Sequence, residues 1–259
     1  ESSLHYQSDS LELTTIFNLS LHDFSSTHEL LTQQYQLFSQ EVFLDLSNIK
    51  LNNKSTQLNG EKLVYDSKTR VVKGRSFDLN IADNKQAIQD FTIRKLDLPL
   101  LANKNQLKID KISVNGGEFQ WVLNEDKGDI YLPWANLQIS ELDLLQTNYT
   151  LKGEKFKYPV ELANTNLSVK NIYSDSLFDA KLLVQNLSSS SFDGVSFTYP
   201  IDNERYELAI DSYSYNHIDH KFKLQGLHLI PKYEKRAYSE VLTFQKDWFD
   251  VKADTLVTN

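Results

Sequence analysis

Apolar and polar residues alternate along much of the chain. Leu11, Leu13, Phe17, Leu19 and Leu21 share one parity, with Glu12, Thr14, Asn18, Ser20 and His22 set between them. Side chains on a strand point to opposite faces at a period of two, so this stretch reads as a strand with one apolar and one wet face. The same pattern predicts strands over residues 43–51, 61–65, 71–79, 106–114, 118–123 and 129–132. In the second half it predicts them over 136–144, 166–172, 181–187, 194–199, 206–215, 221–229 and 249–256. Two segments change parity midway: Leu44 and Leu46 give way to Ile49 and Leu51, and Leu107 and Ile109 to Ile112 and Val114. Such slips predict bulges or strong coiling of the sheet. Short polar links, such as NEDKGD at 124–129 between Trp121-Val-Leu and Ile130-Tyr-Leu, predict hairpins and hence a largely antiparallel sheet. Helical spacing is expected over 231–249, with Pro231 at the entrance. It also fits 27–42, whose second half reads equally well as a strand.

Two blocks of the chain resemble two others. NLSLHDF at 18–24 and NLSVKNI at 166–172 share their opening and their order of apolar and polar positions, at an offset of 148 (18 to 166). The stretch 58–79 lies on 208–229 at an offset of 150 (58 to 208), placing Leu58 on Leu208, Tyr65 on Tyr215, Val72 on Phe222, Phe77 on Leu227 and Leu79 on Leu229. Each of these blocks is two strands around a polar turn, DSKT in one and NHID in the other. Two matches in the same order at nearly the same spacing point to duplication. The expected architecture is therefore mainly β: an elongated, strongly twisted, largely antiparallel sheet of two tandem repeats, 1–125 and 136–259, with one or two short helices. Stacked copies share a continuous core, so the two repeats are also expected to merge into one continuous elongated domain.

With 259 residues and 40% hydrophobic side chains, the chain can build a substantial core. A formal charge of −8 without a Lys/Arg stripe argues against nucleic acid as a partner. Having no cysteine, the chain has no disulfide, thiolate metal site or Cys nucleophile, and its compartment stays open. No run of 18 apolar residues marks a membrane span, and a start at Glu1 rather than Met leads us to expect that a segment has been removed from the front. Asn-X-Ser/Thr triplets at Asn18, Asn53, Asn148, Asn166 and Asn186 are expected by chance in so Asn- and Ser-rich a chain.

Catalytic signatures are missing from the sequence: there is no Gly-x-Ser-x-Gly elbow, phosphate-binding loop, dinucleotide glycine pattern or His-Glu-x-x-His. His217, Asp219 and His220 are the densest candidate metal cluster, but they fall on the predicted NHID turn and read as a polar hairpin tip. Asp126 and Asp129 lack the spacing of a calcium loop. Glu204 and Glu207 form an acidic pair of the kind any chain with 35 acidic residues supplies. Trp121, Trp134 and Trp248, with Phe119, Tyr131 and Phe249, offer aromatic faces for a sugar but are expected to pack in the core. The expectation is no catalytic residue, no metal and no cofactor.

The segment YELAIDSYSYNHIDHKFKLQGLHLIPKYEKRAYSEVLTFQKDWFDVKADTL resembles the large AsmA-like envelope proteins of Bacteroidetes-type bacteria, as does QLKIDKISVNGGEFQWVL at 106–123, where two strands meet at a corner formed by Gly116 and Gly117. The resemblance implies a periplasmic fragment of a protein anchored in the inner membrane through an N-terminal segment. It also implies a long twisted sheet whose apolar face serves lipid transport and envelope integrity, with lipid acyl chains as the partner. A half-wetted sheet must cover its apolar side with protein, membrane or lipid. The alternative is a packed sandwich acting as a secreted or surface binding module for glycans. Residue pattern alone leaves the two open.

Overall fold

The computed structural model describes residues 2–8, 11–24, 39–53, 56–81, 83–97, 100–101, 104–123, 130–154, 156–178, 189–202, 204–234 and 248–258. They form one open sheet of thirteen strands in sequence order. These are β1 Ser2–Gln7, β2 Leu11–Phe24, β3 Ser39–Asn53, β4 Thr56–Asp66, β5 Val71–Ile81, β6 Asn84–Arg94, β7 Gln106–Leu123, β8 Ile130–Gly153, β9 Val160–Phe178, β10 Ser189–Ile201, β11 Tyr206–Asn216, β12 Lys221–Pro231 and β13 Val251–Thr258. Every pairing but one is antiparallel. The exception is β7 with β8, which run in parallel from Gln106↔Asn136 to Leu123↔Gly153. The fold is therefore mainly β and largely antiparallel, and the packed sandwich is not what the described residues build.

Several expectations change in detail. NEDKGD does not close a hairpin: the strands on either side of 124–129 are parallel, and those six residues themselves lie outside the described ones. Gly116 and Gly117 do not form a corner between two strands, because β7 runs through them unbroken. Residues 130–132 and 136–144 belong to the single long β8, and 129 lies outside the described residues. The expected strand 181–187, and most of both expected helices (27–38 and 235–247), lie outside the described residues; 39–42, the end of the first, opens β3. A helical turn not foreseen holds Leu100, Leu101 and Lys104, where the Asp97 carboxylate accepts from the Leu100 amide as a cap.

The parity slips have a structural cause. Asn48, Ser76, Gly116, Gln146, Ser196 and Gly226 all adopt left-handed backbone, with φ between 51° and 70°. A left-handed residue inserts one odd step, so the next apolar side chain returns to the same face. These residues are aligned across the sheet. Asn48, Glu61, Ser76, Gln89, Gly116 and Gln146 fall on one row through β3–β8, and Ser196, Asp211, Gly226 and Asp254 on its counterpart through β10–β13. A second row runs through Arg70, Lys95, Asp110, Ser140 and Asn171, of which Arg70, Lys95 and Asn171 are left-handed, and the slip between Ile109 and Ile112 falls on it. The sheet is creased along both rows while one face stays apolar throughout.

Registers recur at the offsets seen in the sequence. Leu19↔Leu44 in β2–β3 matches Leu167↔Phe192 in β9–β10, and Leu63↔Gly74 in β4–β5 matches Tyr213↔Leu224 in β11–β12. The two polar turns are built alike. Asp66 Oδ1 accepts from the amides of Lys68 and Thr69, and Asn216 Oδ1 from those of Ile218 and Asp219, each turn ending in a left-handed residue, Arg70 or His220. The Thr69 hydroxyl, together with those amides, holds the Asp66 carboxyl below its ordinary pKa. Such recurrence is what two tandem copies would give, β1–β7 and β8–β13, meeting at the parallel seam.

That seam is pinned on the polar face. Lys111 Nζ lies 3.2 Å from Glu141 Oε2 and in closer contact with Asp143 Oδ2 at 2.6 Å, and Ser168 Oγ donates to Asp143 Oδ1 at 2.8 Å, tying β7, β8 and β9 together. Burial works to raise the Asp143 carboxyl, but hydrogen bonds from Lys111 and Ser168 outweigh it and its pKa lies below the ordinary value. A depressed carboxylate stabilises the fold above the unfolded pKa of about 4, and that contribution is lost as pH falls through the lower folded value. Asp143→Asn is expected to cost about 1 kcal/mol near neutrality, a difference that shrinks as pH falls through the lowered folded value. Urea midpoints of the two proteins measured against pH should converge on acidification; parallel curves would contradict the assignment.

Candidate ligand surfaces on the two faces of the sheet

The apolar face takes the inward residue of every strand. At its centre, Ile109, Leu137, Ile139, Val169 and Ile172 form one buried cluster, bordered by Ile93, Leu107, Ile112, Leu142 and Leu167. Past the crease, Val114, Phe119, Leu144 and Tyr149 form a second. All these residues belong to β6–β9 and pack against one another: Ile109 is only 4% exposed. The middle of the apolar face is therefore self-packed, where the sequence led us to expect an open trough or a second sheet.

Aromatic rings complete that packing. Tyr149 stacks on Phe119 at 5.4 Å and on Trp121 at 5.6 Å. Trp121 thus faces the core, Trp248 Nε1 donates to the Tyr233 carbonyl at 3.0 Å, and the Trp134 and Tyr131 side chains lie outside the described residues. Phe77, Phe91 and Tyr213 lie across Gly60, Gly74 and Gly194 of the neighbouring strand, which are their direct register partners. A small buried polar group sits at the crease. Thr147 Oγ1 hydrogen-bonds the Thr165 carbonyl and the Tyr149 hydroxyl, each at 2.9 Å, while Thr165 Oγ1 meets the Tyr213 hydroxyl at 2.7 Å. Burial raises the pKa of both phenols, so they stay protonated and act only as neutral hydrogen-bonding groups.

The lateral ends of the apolar face differ from its centre. Leu4 and Tyr6 on β1 pair with Thr15 and Leu13 on β2, and Leu19 and Leu21 pair with Leu44 and Val42, so all four point to the apolar side. They are between 43% and 51% exposed. At the opposite end Val251 and Leu256 of β13, paired with Leu229 and Leu224, are 49% and 39% exposed. The accessible surface of the molecule, 17145 Å², compares with roughly 11,700 Å² for a compact monomer of this mass.

On the polar face a depression of about 690 Å³ crosses β4–β10, lined by Asn59, Asp78, Asn80, Lys85, Glu118, Gln120, Asn148, Thr150, Glu161 and Ser196. Three acids stand against one lysine there.

The candidate metal residues His217, Asp219 and His220 sit at the β11–β12 turn, with the Tyr215 hydroxyl 3.2 Å from His217 Nδ1 and the two imidazoles 5.4 Å apart. Among the described residues no group of three or more His, Asp or Glu is arranged to hold a metal. Glu204 lies in the β10–β11 turn and Glu207 on β11, while Asp126 and Asp129 lie outside the described residues. Two of the Asn-X-Ser/Thr positions are engaged in the ladder: Asn148 Oδ1 accepts from the Asn164 amide, and Asn166 bridges the Gln146 amide to Asp193. Among the described residues no helix is long and apolar enough to cross a membrane. No protein-family model, curated protein or solved structure matches the chain.

Proposed function

We propose that this is a non-enzymatic lipid-handling protein, which holds acyl chains or bridges them between bacterial membranes against the apolar face of its sheet. One observation carries the reading: Leu4, Tyr6, Leu19 and Leu21 at one end and Val251 and Leu256 at the other stand exposed on the apolar side of an open single layer. Each methylene that such side chains remove from water contributes roughly 0.8 kcal/mol, so an acyl chain is retained without a specific contact and the headgroup stays in water. The self-packed centre then serves as a stiff spine between two lipid-contacting flanks. A location between the two membranes, with an N-terminal anchor in the inner one, belongs to the same proposal and rests on the AsmA-like resemblance.

A phosphatidylethanolamine labelled on one acyl chain tests the reading. Saturable binding to the wild type is expected, and the Leu19→Asp/Leu21→Asp variant should bind at least about tenfold more weakly while keeping the wild-type far-UV circular dichroism at the assay temperature, because both positions are about half exposed. No saturable binding by the wild type, or equal binding by the variant, would contradict it. A second reading, a glycan-binding module, draws on the polar depression, whose amide and carboxylate side chains match sugar hydroxyls. Binding on a glycan array together with failure to take up lipid would favour it.

A further inference from the structure

The recurrence of register says what the outer edge of β13 should receive. In the first half, Leu79↔Gln86, Phe77↔Ile88, Gly74↔Phe91 and Val72↔Ile93 join β5 to β6. In the second half, Leu229↔Val251, Leu227↔Ala253, Leu224↔Leu256 and Phe222↔Thr258 join β12 to β13. Since β12 follows β5 at an offset of 150 (79 to 229), each β13 residue stands where a β6 residue stands, at a constant offset of 165 (86 to 251, 93 to 258). The far side of β6 is covered by β7, antiparallel, through Gln86↔Phe119, Ile88↔Gly117, Phe91↔Val114 and Ile93↔Ile112. Among the described residues, the far side of β13 has no strand on it.

That edge carries two charges, Lys252 and Asp254, but neither proline nor a bulge interrupts it. β13 is eight residues long and exposes Val251 and Leu256 on the apolar face and Val257 on the other. The crease row adds a specific demand. In the first half it passes from Gln89 to Gly116, whose left-handed backbone and lack of a side chain leave room for Gln89. In the second half it reaches Asp254, which occupies the place of Gln89.

We propose that the outer edge of β13 is a strand-addition site for an extended segment resembling β7, running antiparallel to it. The segment carries β-branched or aliphatic residues facing Leu256 and Thr258, a glycine facing Asp254, and an aromatic residue facing Val251. Backbone hydrogen bonds supply affinity, and the alternate side chains falling on the apolar face supply selectivity. The apolar face is thereby extended by one strand. This inference does not depend on what the face binds.

The sequence of β7 itself, QLKIDKISVNGGEFQWVL, provides the probe as a labelled synthetic peptide added to the 259-residue chain. Saturable binding is expected, with slowed hydrogen exchange at the amides of residues 251–258. Leu256→Lys should weaken binding about tenfold, since it removes one apolar partner at an exposed position. A scrambled peptide that binds equally well, or protection confined to other strands, would overturn the proposal. So would concentration-dependent protection of 251–258 in the chain alone, which would assign the edge to a second copy.

Discussion

Tyr149→Ala is expected to lower stability by about 3–5 kcal/mol, the range for removing a large buried aromatic side chain. The ring is 5% exposed and stacked against Phe119 and Trp121, so the vacated space opens between two planar neighbours that cannot close it without leaving each other. The hydroxyl adds a second loss. Thr147, which has no exposed surface, keeps its bond to the Thr165 carbonyl but forfeits its partner on Tyr149. Tyr149→Phe separates the two effects, retaining the stack and costing only about 1 kcal/mol. Urea unfolding of both variants checks the assignment. Equal losses from Ala and Phe would mean that the hydroxyl, and not the ring, carries the contribution.

Gly74→Val is the other large expected effect, a loss of about 1–3 kcal/mol through overpacking. A Cβ at position 74 would fall inside the Phe91 ring, which lies across this glycine and packs edge-on against Phe77 at 5.2 Å. Displacing Phe91 therefore disturbs two strands at once. Phe91→Ala empties the contested space, and the double variant should lose clearly less than the two single losses combined. Strict additivity would show that Phe91 is not what makes Gly74 necessary.

Alternation exposed most of the strands, because a half-wetted layer writes its two faces into the sequence at a period of two. Where it failed, the reasons are physical. β6 was not anticipated since its inward residues, Gln86 and Ile88, then Phe91 and Ile93, change parity at Gln89 on the crease, so neither half is long enough to read. The later part of β8 was hidden because its inward position at 147 is a threonine, buried through hydrogen bonds and polar in sequence. β1 has only Leu4 and Tyr6 to show. The parallel seam is invisible to alternation, which is the same for parallel and antiparallel strands with one wet face, and a short polar link at 124–129 mimics a hairpin.

The ligand surfaces were legible to a smaller degree. An apolar face was evident from Leu11 to Leu21 alone, but nothing in the pattern distinguishes a self-packed centre from an open flank, since curvature is set by left-handed residues as ordinary in sequence as Asn48, Ser76 and Gln146. The glycine-and-ring pairs were also unreadable, because Gly60, Gly74 and Gly194 meet their aromatic partners only once the strands are in register. The polar depression draws on strands from β4 to β10, and no local stretch of sequence records it.

Organic extraction of the wild-type chain purified from a bacterial host without detergent, followed by mass spectrometry, addresses the lipid assignment directly. Co-purified phospholipid in an amount comparable to the protein, and its loss from the Leu19→Asp/Leu21→Asp variant, is the predicted result. A wild-type extract free of lipid would contradict it.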